Sequence, residues 1–134
     1  MGVNVFQWTI SNGVCPPSIS NVTVTQYANP TTAFAGPDQT VCATTATMAA
    51  NTPTVGTGLW SLISGAGIAT TPTLETTGVT GIAIGTNIFQ WTITNGVCPN
   101  TTSTMSITRL PFPTVSNAGP TQTICSASSV LAAN

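Results

Sequence analysis

Apolar and polar side chains alternate along much of this chain with a period of two residues. Between residues 89 and 94 every second side chain is apolar, which is typical of a β-strand that buries one face. The Asn95-Gly96 pair that follows predicts a hairpin with a type I′ turn, because both residues tolerate positive φ angles. The returning strand is predicted over residues 102–109, and residues 6–10 with 22–24 predict a second hairpin of the same kind.

The remaining strands are shorter, and no helix is predicted. Further strands are predicted over residues 39–42, 45–50, 58–64, 67–71 and 78–84. Threonine and valine favour strands, whereas the 12 glycines and 10 prolines interrupt any potential helix. About seven strands in some 80 residues predict an all-β protein, an immunoglobulin-like β-sandwich.

The two predicted hairpins belong to an internal repeat. FQWTISNGVCP begins at Phe6 and FQWTITNGVCP begins at Phe89, and the offset of 83 residues continues without a gap to the end of the chain, with 24 identities over 49 positions. A fixed period of this kind indicates tandem structural units. We expect residues 1–28 to be the C-terminal strands of a preceding repeat, 29–110 a complete β-sandwich repeat, and 111–134 the N-terminal strands of a following repeat.

Charged side chains are almost absent. The chain has Asp38, Glu75 and Arg109 but no lysine and no histidine, and its 28 threonines and 11 serines supply the polarity. No base is available to activate a hydroxyl group, and Asp38 with Glu75 is the only carboxylate pair, so we expect no enzyme activity, no cofactor and no metal. Asp38 follows Gly36-Pro37, a turn context in which its side chain would bond nearby backbone. The absence of basic clusters and of long apolar spans argues against nucleic-acid binding and membrane insertion.

The alternating residues also predict the core. We expect the core to contain Trp60, Phe89, Trp91, Ile93, Met105 and Ile107, with Trp60 and Trp91 on facing sheets. Trp8 is expected in a core in the same way, and the alternative for Trp8, Trp60 and Trp91 is an exposed platform for stacking sugars. Tyr27, near a strand end, is a better candidate for exposure.

Cys15, Cys42, Cys98 and Cys125 indicate an oxidising compartment. One arrangement joins Cys42 to Cys98 within the complete repeat, so that Cys15 and Cys125 pair with missing neighbouring repeats. The other joins Cys15 to Cys42 and Cys98 to Cys125, and cross-links each repeat to the next. We expect the first arrangement.

Four segments in this order resemble a known family. AGPDQTVC at 35–42, GLWSLISGAG at 58–67, TTGVTGI at 76–82 and FQWTITNGVCP at 89–99 are similar to the PKD-like or immunoglobulin-like tandem repeats of giant Bacteroidetes-type cell-surface adhesins, of which the gliding-motility adhesin is an example. The resemblance implies a repeated β-sandwich exported by the type IX system. The Trp-x-Phe-Gly-Asp-Gly motif of PKD domains is replaced here by residues 60–65, WSLISG, so no calcium role follows from it.

These observations favour a structural function. We expect a repeat segment of an extracellular fibre or stalk of a large adhesin, which gives extension, mechanical stability and surface attachment. Its expected partners are neighbouring repeats of the same polypeptide or fibre, and surface glycans are a second candidate. The alternatives are a glycan- or surface-binding β-sandwich module and a filament subunit that self-assembles by strand exchange.

Overall fold

The structure, a computed structural model, describes all 134 residues and contains only β-strands. The prediction of an all-β fold is confirmed. The strands are β1 (Gly2–Ile10), β2 (Ser18–Gln26), β3 (Gln39–Val41), β4 (Thr45–Ala49), β5 (Thr57–Ser64), β6 (Ile68–Ala69), β7 (Thr76–Thr80), β8 (Gly85–Thr94) and β9 (Thr101–Arg109). No helix is present that is long and apolar enough to cross a membrane.

The strands from β3 to β9 form a sandwich of two sheets. One sheet has the order β3-β9-β8-β5 and the other has the order β4-β7-β6. All pairs are antiparallel except β3 and β9, which run parallel from Gln39↔Ile107 to Val41↔Arg109. The first and last strands of the sandwich therefore lie side by side and point in the same direction.

The core lies between these two sheets. The six residues expected in the core are buried, together with Ala33, Ala35, Met48, Val79 and Ile82. Trp60 and Trp91, however, are directly opposite each other on β5 and β8 of one sheet, with ring centroids 5.2 Å apart. Their expected placement on facing sheets was wrong, because alternation predicts which side chains are buried but not which strands are neighbours.

Two other predictions, the extent of one strand and the type of one turn, are wrong at positions next to a glycine. Residues 78–84 were predicted as one strand, but β7 ends at Thr80 and Gly81 has a φ of 72°; the chain then bends and Ile82 enters the core. At the β8–β9 turn Gly96 has a φ of 56° but Asn95 has a negative φ. A type I′ turn centred on Asn95 and Gly96 needs positive φ at both residues, so the predicted turn is not formed. The turn that is formed runs from Asn95 to Cys98 with Gly96 and Val97 at its centre, and is closed by the Cys98 N–H to Asn95 O bond of 3.2 Å.

The segments outside the sandwich reproduce parts of it. β1 and β2 form a separate antiparallel hairpin. Residues 111–134 contain no strand, yet Gln122 donates to Val130 O at 2.8 Å as Gln39 donates to Thr47 O at 2.8 Å, 83 residues earlier. Asn117 and Asn134 likewise repeat the paired bonds of Phe34 and Asn51.

Candidate functional site

The sandwich has two distinct poles, and the chain enters at one and leaves at the other. Residues 31–41 run alongside β9 in the same direction, from the Ala33 N–H that donates to Thr101 Oγ1 to the Leu110 N–H that donates to Val41 O. We call the end with the β8–β9 turn (residues 95–100) the N-terminal pole. The end with Cys42, Ile82 and Arg109 is the C-terminal pole.

At the N-terminal pole, the β8–β9 turn receives the end of the preceding hairpin. The Asn95 side chain donates to Ala28 O at 2.9 Å. Tyr27 packs so closely on Gly96 that a Cβ atom there would lie 2.6 Å from its ring. Gly96 therefore serves two purposes, since it supplies the positive φ of the turn and leaves space for the tyrosine. Tyr27 remains partly exposed, as expected.

At the C-terminal pole, Arg109 joins three segments. Its guanidinium donates to Ile82 O at 3.0 Å and to Cys42 O at 3.4 Å. Hydrogen bonds to a charged donor contribute roughly 1.5–3 kcal/mol in partly buried settings. The one cation of the chain thus fixes the loops at the point where the polypeptide leaves the sandwich.

The two carboxylates have separate hydrogen-bonding environments. Asp38 accepts the Ser106 N–H at 2.7 Å. Its side chain therefore bonds to the neighbouring strand β9, whereas a bond to the backbone of its own turn was expected. Glu75 accepts from the Thr52 hydroxyl at 3.2 Å. Asp38 therefore strengthens the edge at which the first and last strands of the sandwich meet.

The structure does not bring Cys42 and Cys98 together. Cys42 follows β3 beside the last residue of β9, whereas Cys98 lies in the turn before the first residue of β9. The eight residue steps of β9 span about 26 Å, and a disulfide requires Cα atoms within about 7 Å. All four cysteines are free in this structure, and the separation of the two positions does not fit the expected Cys42–Cys98 bond.

The β1–β2 hairpin exposes the face that its equivalent in the sandwich buries. Phe6 and Trp8 are 57% and 71% exposed, whereas Phe89 and Trp91, 83 residues further on, are each 1% exposed. Val22 and Val24 on β2 belong to the same exposed face. The core placement expected for Trp8 does not hold in this chain, because no second sheet covers β1 and β2.

A groove of about 520 Å³ lies at the start of β5. Its lining residues are Pro53, Gly56, Thr57, Gly58, Leu59, Thr73, Thr92 and Thr94. None of them is aromatic or charged, and the two tryptophans of the sandwich are buried. The groove offers hydroxyl groups to a ligand but no stacking platform.

Asn87 is a structural residue that the sequence patterns did not reveal. It is buried on β8, where its amide donates to Ala83 O, Gly85 O and Ile107 O and accepts the Ala66 N–H at 2.8 Å. The sequence contains one signal for it: the asparagine is the same in both copies of the repeat, at Asn4 and Asn87, although the residues on either side of it differ between the copies.

Comparison with a solved structure identifies the class of the fold. The PKD domain of the KIAA 1837 protein superposes with a TM-score of 0.52 at 18% sequence identity, over 69% of this chain and 98% of that domain. The chain therefore has the PKD-like, immunoglobulin-like β-sandwich fold, as predicted. No family model matches the chain, and no curated protein does.

Proposed function

We propose that this chain is a repeat segment of an extracellular fibre or stalk, part of a large cell-surface adhesin, that provides length and mechanical stability. The observation that carries the proposal is the position of the poles. Because the polypeptide enters at the N-terminal pole and leaves at the C-terminal pole, successive sandwiches continue in one direction and form a rod. The 83-residue period of the sequence fits such a rod.

The exposed hairpin supports the same interpretation. β1 closely repeats the sequence of β8, and β1 pairs with β2 in the register in which β8 pairs with β9, but the apolar face of the first hairpin is uncovered. Burying a phenylalanine or leucine side chain is worth roughly 1.5–3 kcal/mol, so this face is suited to packing against the remainder of a preceding sandwich. The repeated contacts of residues 111–134 suggest the beginning of a following one.

The geometry of the sandwich also suits a load-bearing function. A force along the chain pulls residues before β3 toward one pole and residues after β9 toward the other. Since β3 and β9 are parallel neighbours, the force loads all their hydrogen bonds together in shear. Antiparallel neighbours pulled from a common end would separate one bond at a time.

An intact-mass measurement on the native polypeptide tests the proposal. We expect a chain many times longer than 134 residues, and stepwise unfolding in single-molecule pulling with equal increments of contour length for each repeat. A native polypeptide of 134 residues would contradict the fibre.

Strand exchange between chains remains the alternative assembly. It would join residues 111–134 of one molecule to the β1–β2 hairpin of another, but such a sandwich lacks any counterpart of β5, β6 and β7. Sedimentation velocity on the 134-residue chain separates the two assemblies. We expect a monomer, and long polymers would favour exchange.

A further inference from the structure

The four thiols have no partner within the chain, and they occupy two kinds of position that repeat with the 83-residue period. Cys15 and Cys98 lie in the turns of equivalent hairpins. The Cys15 N–H closes the first turn by donating to Asn12 O, and the Cys98 N–H closes the second by donating to Asn95 O. Cys42 lies at the C-terminal pole, and Cys125 is its equivalent one period later. Within one sandwich these two kinds of cysteine are at opposite poles.

The chain contains one junction between a hairpin and the sandwich that follows it. There the end of β2 reaches the N-terminal pole, where Tyr27 packs on Gly96 and Asn95 binds Ala28 O. Cys98 belongs to the same turn and is half-buried, whereas the other three cysteines are exposed. The turn cysteine thus lies next to the end of the preceding hairpin.

The other cysteine lies next to the same hairpin end in its own sandwich. Cys42 O accepts from Arg109 Nε at 3.4 Å, and Leu110 N–H donates to Val41 O at 2.9 Å. Gln26 and Tyr27 are the residues 83 positions before Arg109 and Leu110. The Cys42-type cysteine of a preceding sandwich would therefore lie beside Gln26 and Tyr27, and Tyr27 contacts the turn that contains Cys98.

We propose that Cys42 forms a disulfide with the cysteine at the Cys98 position of the next repeat, across the junction between two sandwiches. The proposal rests on the tandem arrangement proposed above. The two positions are 139 residues apart, which is one period of 83 beyond the 56 that separate Cys42 from Cys98. No two cysteines of the 134-residue chain are so related, which accounts for the four free thiols.

The oxidant is a small-molecule or enzyme disulfide. One cysteine thiolate attacks the oxidant and forms a mixed disulfide, with release of the first oxidant thiolate. The second cysteine thiolate then attacks the protein sulfur, forms the junction bond and releases the second oxidant thiolate. The two cysteines lose two electrons and two protons, and the oxidant is reduced to two thiols.

The bond would carry load past the folded sandwiches. Two successive disulfides on this path are joined by the segment from a Cys98-position cysteine to the next Cys42-position cysteine. In this chain that segment runs from Cys98 to Cys125 and has only 27 residues. An extended chain of that length spans at most about 90–97 Å, and much of it is already extended in β9 and in the segment that runs beside β9. The oxidised fibre could therefore lengthen very little before its disulfides bear the force.

A chain of residues 1–111 followed by a second copy of 29–111 tests the pairing. In one variant only Cys42 of the first copy and Cys98 of the second are retained, and the other cysteines are serine. The matched control retains Cys42 and Cys98 of the same copy. After incubation in a glutathione redox buffer, we expect the first variant to lose both thiols as a monomer and to yield one linked peptide, whereas the control keeps two reactive thiols.

A bond in the control, or free thiols in the first variant, would overturn the proposal. Small-angle scattering of the reduced variant distinguishes the causes. If the particle is elongated but its thiols stay free, only the proposed disulfide is wrong. If the two sandwiches do not lie end to end, the proposed tandem arrangement is wrong as well. The unaltered 134-residue chain provides a second measurement. We expect no internal disulfide after the same treatment, and a Cys15–Cys42 or Cys98–Cys125 peptide would contradict the assigned pairing.

Discussion

At the scale of single residues, the repeat places identical side chains in different environments. Asn4 and Asn87 are 83 residues apart, yet only Asn87 is buried and bonded to four backbone groups. This pair of identical residues is therefore an internal control for what burial contributes.

Substitution of Asn87 provides the first test at this scale. Asn87→Ala removes the side-chain donor to Ile107 O and leaves the Ala66 N–H without its acceptor, and a buried unpaired polar group costs about 1–3 kcal/mol. We expect the free energy of unfolding, measured by denaturant titration of tryptophan fluorescence, to fall by about 2–3 kcal/mol. Asn4→Ala, at an exposed position, should change it by less than about 0.5 kcal/mol; equal effects would show that Asn4 is buried in solution.

At the scale of elements, two hairpins with nearly the same strand lengths and the same pairing register differ in burial. β8 and β9 are covered by the second sheet, whereas β1 and β2 are not. An isolated two-stranded hairpin is at best marginally stable in water. The stability of this element is consequently set by what packs on it and not by its own sequence.

Hydrogen exchange compares the two hairpins directly. We expect amides of residues 85–109 to be protected to the level of global unfolding, and amides of residues 2–26 to exchange much faster in the same sample. The measurement is repeated at several protein concentrations. Equal and concentration-independent protection would mean that another part of the monomer covers the apolar face of β1 and β2.

The edge formed by β3 and β9 gives a mechanical prediction for a single element. Asp38→Ala removes the acceptor of the Ser106 N–H at this edge, and we expect a lower unfolding force when the chain is pulled from its two ends. Glu75→Ala removes the other carboxylate, which bonds only to the Thr52 hydroxyl away from this edge. An unchanged force for Asp38→Ala, or the same loss for both variants, would contradict a load-bearing role of β3 and β9.

At the scale of the whole molecule, the fold determines direction. A β-sandwich whose first and last strands are parallel neighbours has its termini at opposite ends, so that in the proposed fibre the period of the sequence becomes a linear repeat in space. The same geometry separates Cys42 from Cys98 within one sandwich, and in the proposed fibre it brings the two kinds of cysteine to a common junction. Extension and cross-linking thus have one structural origin in the proposed fibre.

The sequence by itself determined the all-β class, the 83-residue period and the burial of Phe89, Trp91 and Ile93, because alternation and repetition are local properties that can be counted along the chain. It did not determine that Trp60 pairs with Trp91, that Gly81 ends β7, or which pole each cysteine occupies. Those depend on strand order and on contacts between residues far apart, such as Asn87 with Ile107 and Asp38 with Ser106. Only the tertiary structure decided them, because a strand's hydrophobic pattern specifies the face that it buries and leaves its neighbours open.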